Sequence, residues 1–401
     1  MDRQETSRFD GPRAARPGEL EGVLDLANLV MRQVRGYPPT IATDYPFIYN
    51  QENLENIIVV KDGSQIISMV AIWVNEIQLA SARLKIGGIN CLATRPGFRG
   101  LALASAVMQA AHTHMQKLGC QVARLTTGIT RWYRRLGWDT AGILCSYELN
   151  HSNIILLPNL PDGIDVRCFD GPFDGTILEQ VCGLRDQDKL GASRTPELMK
   201  VLLGSGSDPK VQSAWQLMLA FEGPRPTAYL LDREGSIEEW AGPANILSGL
   251  VRNCFEWRAK DQVSRSKMDR QTKVAASEKM LLVGPQDGHP FLETLQGLGM
   301  PCHRDYWGML YILDPRGVLD AFGHQDIDVM EDNGRMIVSR DGQSLSLTRQ
   351  QLVKLLFGPD DHGPEAPPIA PGHQMRARGT GPVRAAPAWQ QTPHRQVEQG
   401  I

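Results

Sequence analysis

Apolar residues at Leu101, Ala104, Val107, Met108, Ala111, Met115 and Leu118 recur at helical spacing and predict a long amphipathic helix. Gly119 stops it, with Lys117 in the last turn, where a cation suits the helix dipole. An apolar strand, Leu84 to Leu92, leads into this helix, and a buried strand, Gln121 to Thr126, follows it. Upstream, Leu20, Val23, Leu24, Ala27, Val30 and Met31 mark a helix from Pro17 to about Arg35, after a strand near Arg8. Two further strands, Asn56 to Lys61 and Gln65 to Val74, meet at an Asp62-Gly63 hairpin turn. The pattern is a helix first, then an antiparallel meander, then a parallel β-α-β end.

The segment 151–163, HSNIILLPNLPDG, carries turn chemistry and separates this unit from a second one. There the strands Ile164 to Cys168, Trp215 to Phe221, Thr227 to Asp232 and Ile237 to Ala241 precede a helix from Ala244 to Trp257. A strand Lys279 to Val283, a helix Phe291 to Leu298 and a strand Tyr306 to Leu313 complete it. The succession repeats that of the first unit without an obvious repeat in sequence. Beyond Pro315, Asn333-Gly334 and Asp341-Gly342 predict hairpins joining strands Asp326 to Glu331, Arg335 to Ser339 and Ser344 to Leu347. Thr348 and Gln351 form a capping box for a helix ended by Gly358. From Asp361 to Ile401 the chain is rich in Pro, Gly, Ala, Gln and Arg, a composition that predicts disorder.

The first turn of the long helix is the strongest chemical signal. Its leading N–H groups have no intrahelical acceptor and emerge beside Arg95 and Arg99, so positive potential converges on Gly100 to Ala104. Small side chains at Gly100, Ala102 and Ala104 let a bulky diphosphate approach. Neither a G-x-G-x-x-G fingerprint nor a P-loop occurs here.

The order of strand, Arg99-Gly100-Leu101-Ala102-Leu103-Ala104 and helix resembles the acetyl-CoA pyrophosphate motif of the GNAT (GCN5-related N-acetyltransferase) superfamily, [Q/R]-x-x-G-x-[G/A]. Ala102 departs from it, standing where glycine is usual. A second segment, Trp132-Tyr133-Arg134-Arg135-Leu136-Gly137-Trp138, resembles the family's F/I-Y-x-[K/R]-[L/F]-G-[F/W/Y] helix and follows at the expected place. The resemblance covers about the first 150 residues. It implies that acetyl-CoA is the co-substrate, held by Cys91, Leu92, Ala93, Arg99, Gly100, Leu101, Ala102, Leu103 and Ala104. Backbone N–H groups around Leu92 and Ala93 would polarise the thioester carbonyl, and Tyr133 would protonate the departing thiolate.

The order of the whole chain resembles the Eis (enhanced intracellular survival) class of tandem-GNAT acetyltransferases. The fold class expected is therefore α/β (α+β). A GNAT catalytic domain with a mixed sheet (1–150) and a linker (151–163) precede a degenerate GNAT-like domain (164–314). A shortened sterol-carrier-like lobe (315–360) and a disordered tail (361–401) end the chain. The turn EWAGPANIL before the second unit's long helix has no counterpart of Arg99, so this domain is expected not to bind CoA. It would shape the substrate cleft or a contact in a homo-oligomer. In the Eis class a terminal carboxylate serves as base, a role not transferred to Ile401 because the tail intervenes. Glu76 on a central strand is the catalytic base candidate, with Asp44 and Tyr45 as alternatives.

Composition bounds the rest. The chain has 401 residues, 42% hydrophobic, and a formal charge of -3, which gives no sign of a nucleic-acid partner. The charged first residues and short apolar runs predict a cytoplasmic protein with no membrane partner. Seven cysteines occur singly, as reduced thiols, and no metal site is expected. His112 and His114, two apart, face different sides of the helix and are read as surface or partly buried positions; His289 and His303 are read as turn or edge residues. The acceptor would be a small-molecule or peptide amine. Tyr37, Tyr45, Phe47, Tyr49 and Trp73 are candidates for a partly apolar pocket. Two other readings remain open at this level. One is an acyl-CoA-binding sensor or structural pseudo-enzyme, favoured by Ala102 and opposed by the intact RWYRRLGW segment. The other is an acyltransferase using longer acyl chains.

Overall fold

The computed structural model describes residues 8–79, 81–188, 190–204, 215–268, 279–285 and 288–358; the expected disordered tail lies outside them. The first half opens with β1 (Asp10–Ala14) and α1 (Leu20–Met31). The single helix expected to about Arg35 stops at Met31 and continues as a 3-10 turn, Gln33–Arg35, ended by Gly36 at φ +76°. A short α2 (Ile41–Asp44) leads to β2 (Ile57–Asp62), β3 (Gln65–Leu79) and β4 (Ala82–Thr94), an antiparallel meander. Then come α3 (Leu103–Lys117), β5 (Val122–Leu125), α4 (Thr130–Arg134) and β6 (Asp139–Asn150).

Helix α3 buries Leu103, Val107, Met108, Ala111, His112 and Met115 against the sheet. Leu101, expected on that face, precedes the helix and is exposed. The helix lies so close that a Cβ on Gly87 would meet Met115 Sδ at 2.1 Å. The glycine thus sets the depth of the helix on β4.

The second half follows with β7 (Ile164–Asp170), α5 (Gly175–Gln187), β8 (Leu190–Ala192), α6 (Pro196–Gly204), β9 (Trp215–Glu222), β10 (Arg225–Arg233) and β11 (Ser236–Ala241). It ends with α7 (Ala244–Met268), β12 (Lys279–Pro285), α8 (Pro290–Gly297) and β13 (Cys302–Ile312). Among the described residues the thirteen strands form one sheet, ordered β1-β2-β3-β4-β5-β13-β6-β12-β11-β10-β9-β7, with β8 beside β3.

Each half lends a strand to the other. β13 pairs antiparallel with β5 (Met309↔Leu125) and with β6 (Met309↔Thr140), so it fills the space between two first-half strands. β6 pairs on its other side with β12 (Leu282↔Tyr147). The parallel pairs β4/β5 and β11/β12, each bridged by a long helix, then stand on either side of the exchanged strands.

The lobe comprises α9 (Pro315–Ala321), a separate sheet of β14 (Asp328–Asp332), β15 (Arg335–Arg340) and β16 (Gln343–Leu347), and α10 (Arg349–Phe357). Both predicted hairpins form, with Asn333, Gly334, Asp341 and Gly342 all at positive φ. The Thr348 and Gln351 capping box is present. Lobe residues Val318, Met336, Leu352 and Val353 share an apolar cluster with Ile77 and Ile86 of the first half and with Trp307 of β13. Among the described residues no helix is long and apolar enough to cross a membrane.

Candidate active site

Strands β4 and β5 run side by side through Ile86↔Val122, Gly87↔Ala123 and Gly88↔Arg124 and then part. Beyond Gly88, β4 keeps only β3 as a neighbour. Its register shifts there from Ala71↔Asn90 to Met69↔Ala93, so Cys91 and Leu92 together face Val70, with Cys91 at φ +47°. This is a β-bulge, which leaves a backbone group out of the ladder and re-aims the strand. The residues expected to polarise a carbonyl, Leu92 and Ala93, therefore lie at the bulge, on the open side of the splay. Burial pushes the Cys91 thiol up to about 11, so it stays protonated at neutral pH.

A 3-10 turn, Pro96–Phe98, carries the chain from β4 to α3. The two arginines of this turn divide their work. Arg95 is committed to the scaffold, donating to Ile66 O at 2.9 Å and pairing with Asp25. Arg99 is exposed and has no side-chain partner among the described residues. Gly100 lies at φ +84° and Ala102 at φ +56°, curling the backbone before the first helical residue, Leu103. The left-handed conformation costs an L-residue about 1–2 kcal/mol, which gives the reason for glycine at the position Ala102 occupies. The leading amides of Leu103, Ala104 and Ser105 have no intrahelical acceptor. Gly100, Leu101 and Ala102 are exposed beside them.

Tyr133 is buried on α4, edge-on to Trp132 at 4.8 Å and to Trp138 at 6.1 Å. It belongs to the same apolar cluster as Leu103 of α3. Burial raises its hydroxyl to about 12, and the phenol is therefore protonated at neutral pH. Gly128 and Ile129 before α4, with Thr130, Arg131 and Arg135 of α4 and its end, line an open depression of about 400 Å³.

At the apex of the splay, on the sheet face that carries α1, is a small cavity of about 30 Å³. Trp73, Asn75 and Ile77 of β3 line it at period-two spacing, with Gly88 and Asn90 of β4, Arg124 of β5 and Trp307 of β13. Asn90 Oδ1 accepts from the Tyr49 hydroxyl at 2.8 Å. Of the predicted pocket aromatics, Trp73 lines the cavity; Tyr45, Phe47 and Tyr49 pack behind it in the α1 core. Tyr37 is half-buried and is not among the lining residues.

The base candidates fall elsewhere. Glu76 lies between Asn75 and Ile77 on a strand whose side chains alternate, so it is on the opposite face from the cavity, exposed, while its carbonyl accepts from Ser193 N–H at 3.1 Å. Asp44 is buried but bound to Arg32 Nη2 at 2.8 Å and Thr40 Oγ1 at 2.5 Å, an ion pair that fixes the loop after α1. Tyr45 packs edge-on to Phe47 at 6.4 Å and Tyr49 at 6.5 Å. Of the lining residues only Trp73 was anticipated; Arg124 and Trp307 are the instructive omissions. Arg124 had a signal, a lone cation inside the apolar run Val122–Leu125. Trp307 had none, because β13 reaches the site only through the strand exchange.

A family model described as an acetyltransferase (GNAT) domain matches residues 12–141, the span that contains the splay, the curled turn and Tyr133. The match is to a GNAT domain over about a third of the chain. Acyl transfer is the reaction class of that domain. Solved structures extend the likeness to the whole chain. A GCN5-related N-acetyltransferase from Kribbella flavida is 15% identical, with 89% of this chain and 86% of that one covered and a TM-score of 0.56. Eis1 from Mycobacterium abscessus is 14% identical, covering 87% and 89%, at a TM-score of 0.56. A GCN5-related N-acetyltransferase from Anabaena variabilis is 14% identical, covering 85% of each chain, at 0.55. At these identities the likeness is one of fold, and it extends beyond the span of the family match. No curated protein matches the chain.

The second half's counterpart of the site is filled. Glu239 of β11 accepts from the Tyr229 hydroxyl at 2.7 Å, pairs with Arg194 and lies 3.7 Å from Arg185, all buried. Where β3 and β4 of the first half face a cavity, β10 and β11 face an ionic cluster.

Proposed function

We propose that the chain transfers an acetyl group from acetyl-CoA to a primary amine by direct attack in a ternary complex, at the splay of the first half. Three features of the first half support this reading: the parting of β4 and β5 with its bulge at Cys91, the curled turn before α3, and the buried phenol of Tyr133.

Acetyl-CoA fits the residues present. Arg99 and the leading amides of α3 would hold its diphosphate, with exposed Gly100 and Ala102 leaving room for it. Arg131 and Arg135, at the two ends of α4, add positive charge beside that depression. What the co-substrate supplies is an acyl carbon activated by a thioester. The amides at the bulge, Leu92 and Ala93, would stabilise charge growing on the carbonyl oxygen. A neutral amine forms the new C–N bond as the C–S bond breaks. Tyr133 gives its proton to sulfur, and the proton released by nitrogen restores it.

Proton transfer of this kind contributes about a hundred- to ten-thousand-fold. Tyr133→Phe should therefore lower kcat at least a hundredfold and leave acetyl-CoA affinity within about twofold, measured by thiol release and by calorimetry. A turnover within twofold of the wild type removes Tyr133 from the acid role.

A further inference from the structure

The first turn of α10, in the lobe, lies against the end of α4, the helix that carries Tyr133. The Thr348 and Gln351 capping box starts α10 and so fixes the two residues between them, Arg349 and Gln350. Gln350 Nε2 donates to Arg134 O at 2.8 Å, although the two are 216 residues apart in sequence. The last carbonyls of a helix have no intrahelical donor and must find one elsewhere. Tyr133 O accepts from Leu136 N–H at 2.9 Å and Trp138 N–H at 3.3 Å, and Arg134 O accepts from Gly137 N–H at 3.1 Å as well as from the lobe. Gln350 thus completes the turn that closes α4.

A second contact reaches the same turn. Gly137 stands at φ +91°, and a Cβ there would meet Tyr311 Cε2 at 3.0 Å and Arg349 Cδ at 3.7 Å. The Arg349 guanidinium lies 4.7 Å from the Tyr311 ring centroid, pairs with Glu331 at 2.8 Å and donates to Ile312 O. Tyr311 in turn lies 5.6 Å from Trp138, the ring edge-on to Tyr133. From its other face α10 is anchored by Leu352 and Val353 in the apolar cluster with Ile77 and Ile86. Helix α4 spans only five residues. A helix so short has little stability of its own, so what packs against it decides where Tyr133 stands.

We infer that Gln350 is a positioning residue for Tyr133: through Arg134 O the lobe holds α4 so that the phenol stands where it gives its proton to sulfur. This rests on the acetyl-transfer reading and adds to it a role for the lobe in the chemical step.

A displacement of about 1 Å can cost about a hundredfold in rate. Gln350→Met keeps the length of the side chain and removes the donor, whereas Gln350→Lys keeps a donor. With the full chain saturated in acetyl-CoA and spermidine, glucosamine and glycinamide as amine probes, Gln350→Met should lower kcat for thiol release at least fivefold. Gln350→Lys should return it to within twofold of the wild type, and both variants should bind acetyl-CoA within twofold by calorimetry. Added to Tyr133→Phe, Gln350→Met should change kcat less than twofold, because the group it positions is gone. Equal losses in both backgrounds overturn the inference, as does an unchanged kcat in Gln350→Met. A readout without turnover is ¹⁹F resonance of the chain labelled with 3-fluorotyrosine. The Tyr133 signal, assigned by its loss in Tyr133→Phe, should move in Gln350→Met while that of Tyr229 stays; an unmoved Tyr133 signal also overturns it. Wild-type turnover in Tyr133→Phe, or no binding of acetyl-CoA, would fell the acetyl-transfer reading and this inference with it, whereas a slow Tyr133→Phe beside a silent Gln350→Met removes the positioning role only.

Discussion

His112 shows how a single position on α3 couples the catalytic half to the lobe. Its ring stacks on Tyr311 of β13 at 4.1 Å and lies 5.5 Å from Trp138, and its Nε2 is buried without a hydrogen-bond partner among the described residues. Burial first, and the nearby Arg349 of α10 second, hold its pKa down to about 4. The unfolded chain takes up this proton near pH 6.5 and the folded chain does not until about 4. Stability from this residue is thus complete above pH 6.5 and declines as pH falls toward 4, by up to about 3 kcal/mol. His112→Phe keeps the aromatic packing and removes the titration. Its urea midpoint should fall less between pH 7 and 4.5 than that of the wild type; equal falls would contradict this assignment. The sequence pointed to a surface or partly buried histidine here, because a neutral imidazole fits an apolar seam as readily as a wet one and its spacing does not distinguish them.

At the level of elements, what was legible was what local chemistry decides. Asn333-Gly334 and Asp341-Gly342 form tight hairpins because both residues of each pair accept positive φ. Thr348 and Gln351 cap α10 with their own side chains. The apolar period of α3 put Val107, Met108, Ala111 and Met115 on its buried face, while its start was misplaced because the left-handed turn at Ala102 has no signature when the residue is not glycine. The exchange of β6 and β13 was illegible for a different reason: which strand fills the space beside β5 depends on the path of the whole chain. β6 itself, from Asp139 to Asn150, mixes buried and half-buried residues on both faces and gives no clean alternation. The exchange has a testable consequence. A fragment of residues 1–163 keeps both GNAT motifs but lacks β13, so β5 and β6 lose the strand between them. This fragment should not unfold cooperatively in urea, and a cooperative transition at the full chain's midpoint would contradict the structural role given to β13.

For the molecule as a whole, one sheet carries two halves of unequal chemistry, each with a long helix bridging a parallel strand pair. The first half has an open splay, a curled turn before α3 and a cavity; in the second, Glu239, Arg185, Arg194 and Tyr229 form a buried ionic cluster. The second half nonetheless builds the site, through Trp307 in the cavity wall and β8 beside the outer end of β3. The proposed donor-side residues are legible as motifs because they are local in sequence, within residues 91–104 and 132–138. The cavity lining was not legible because Arg124, Asn75 and Trp307 come from three strands far apart in the chain. The central claim is that the first half alone holds acetyl-CoA, with its diphosphate at the turn before α3. Calorimetric titration of acetyl-CoA into the full chain, wild type beside Arg99→Glu, tests it most directly. The account predicts one molecule bound per chain and at least a tenfold loss of affinity in the variant; no binding to the wild type, two molecules per chain, or a variant that binds as tightly would contradict it.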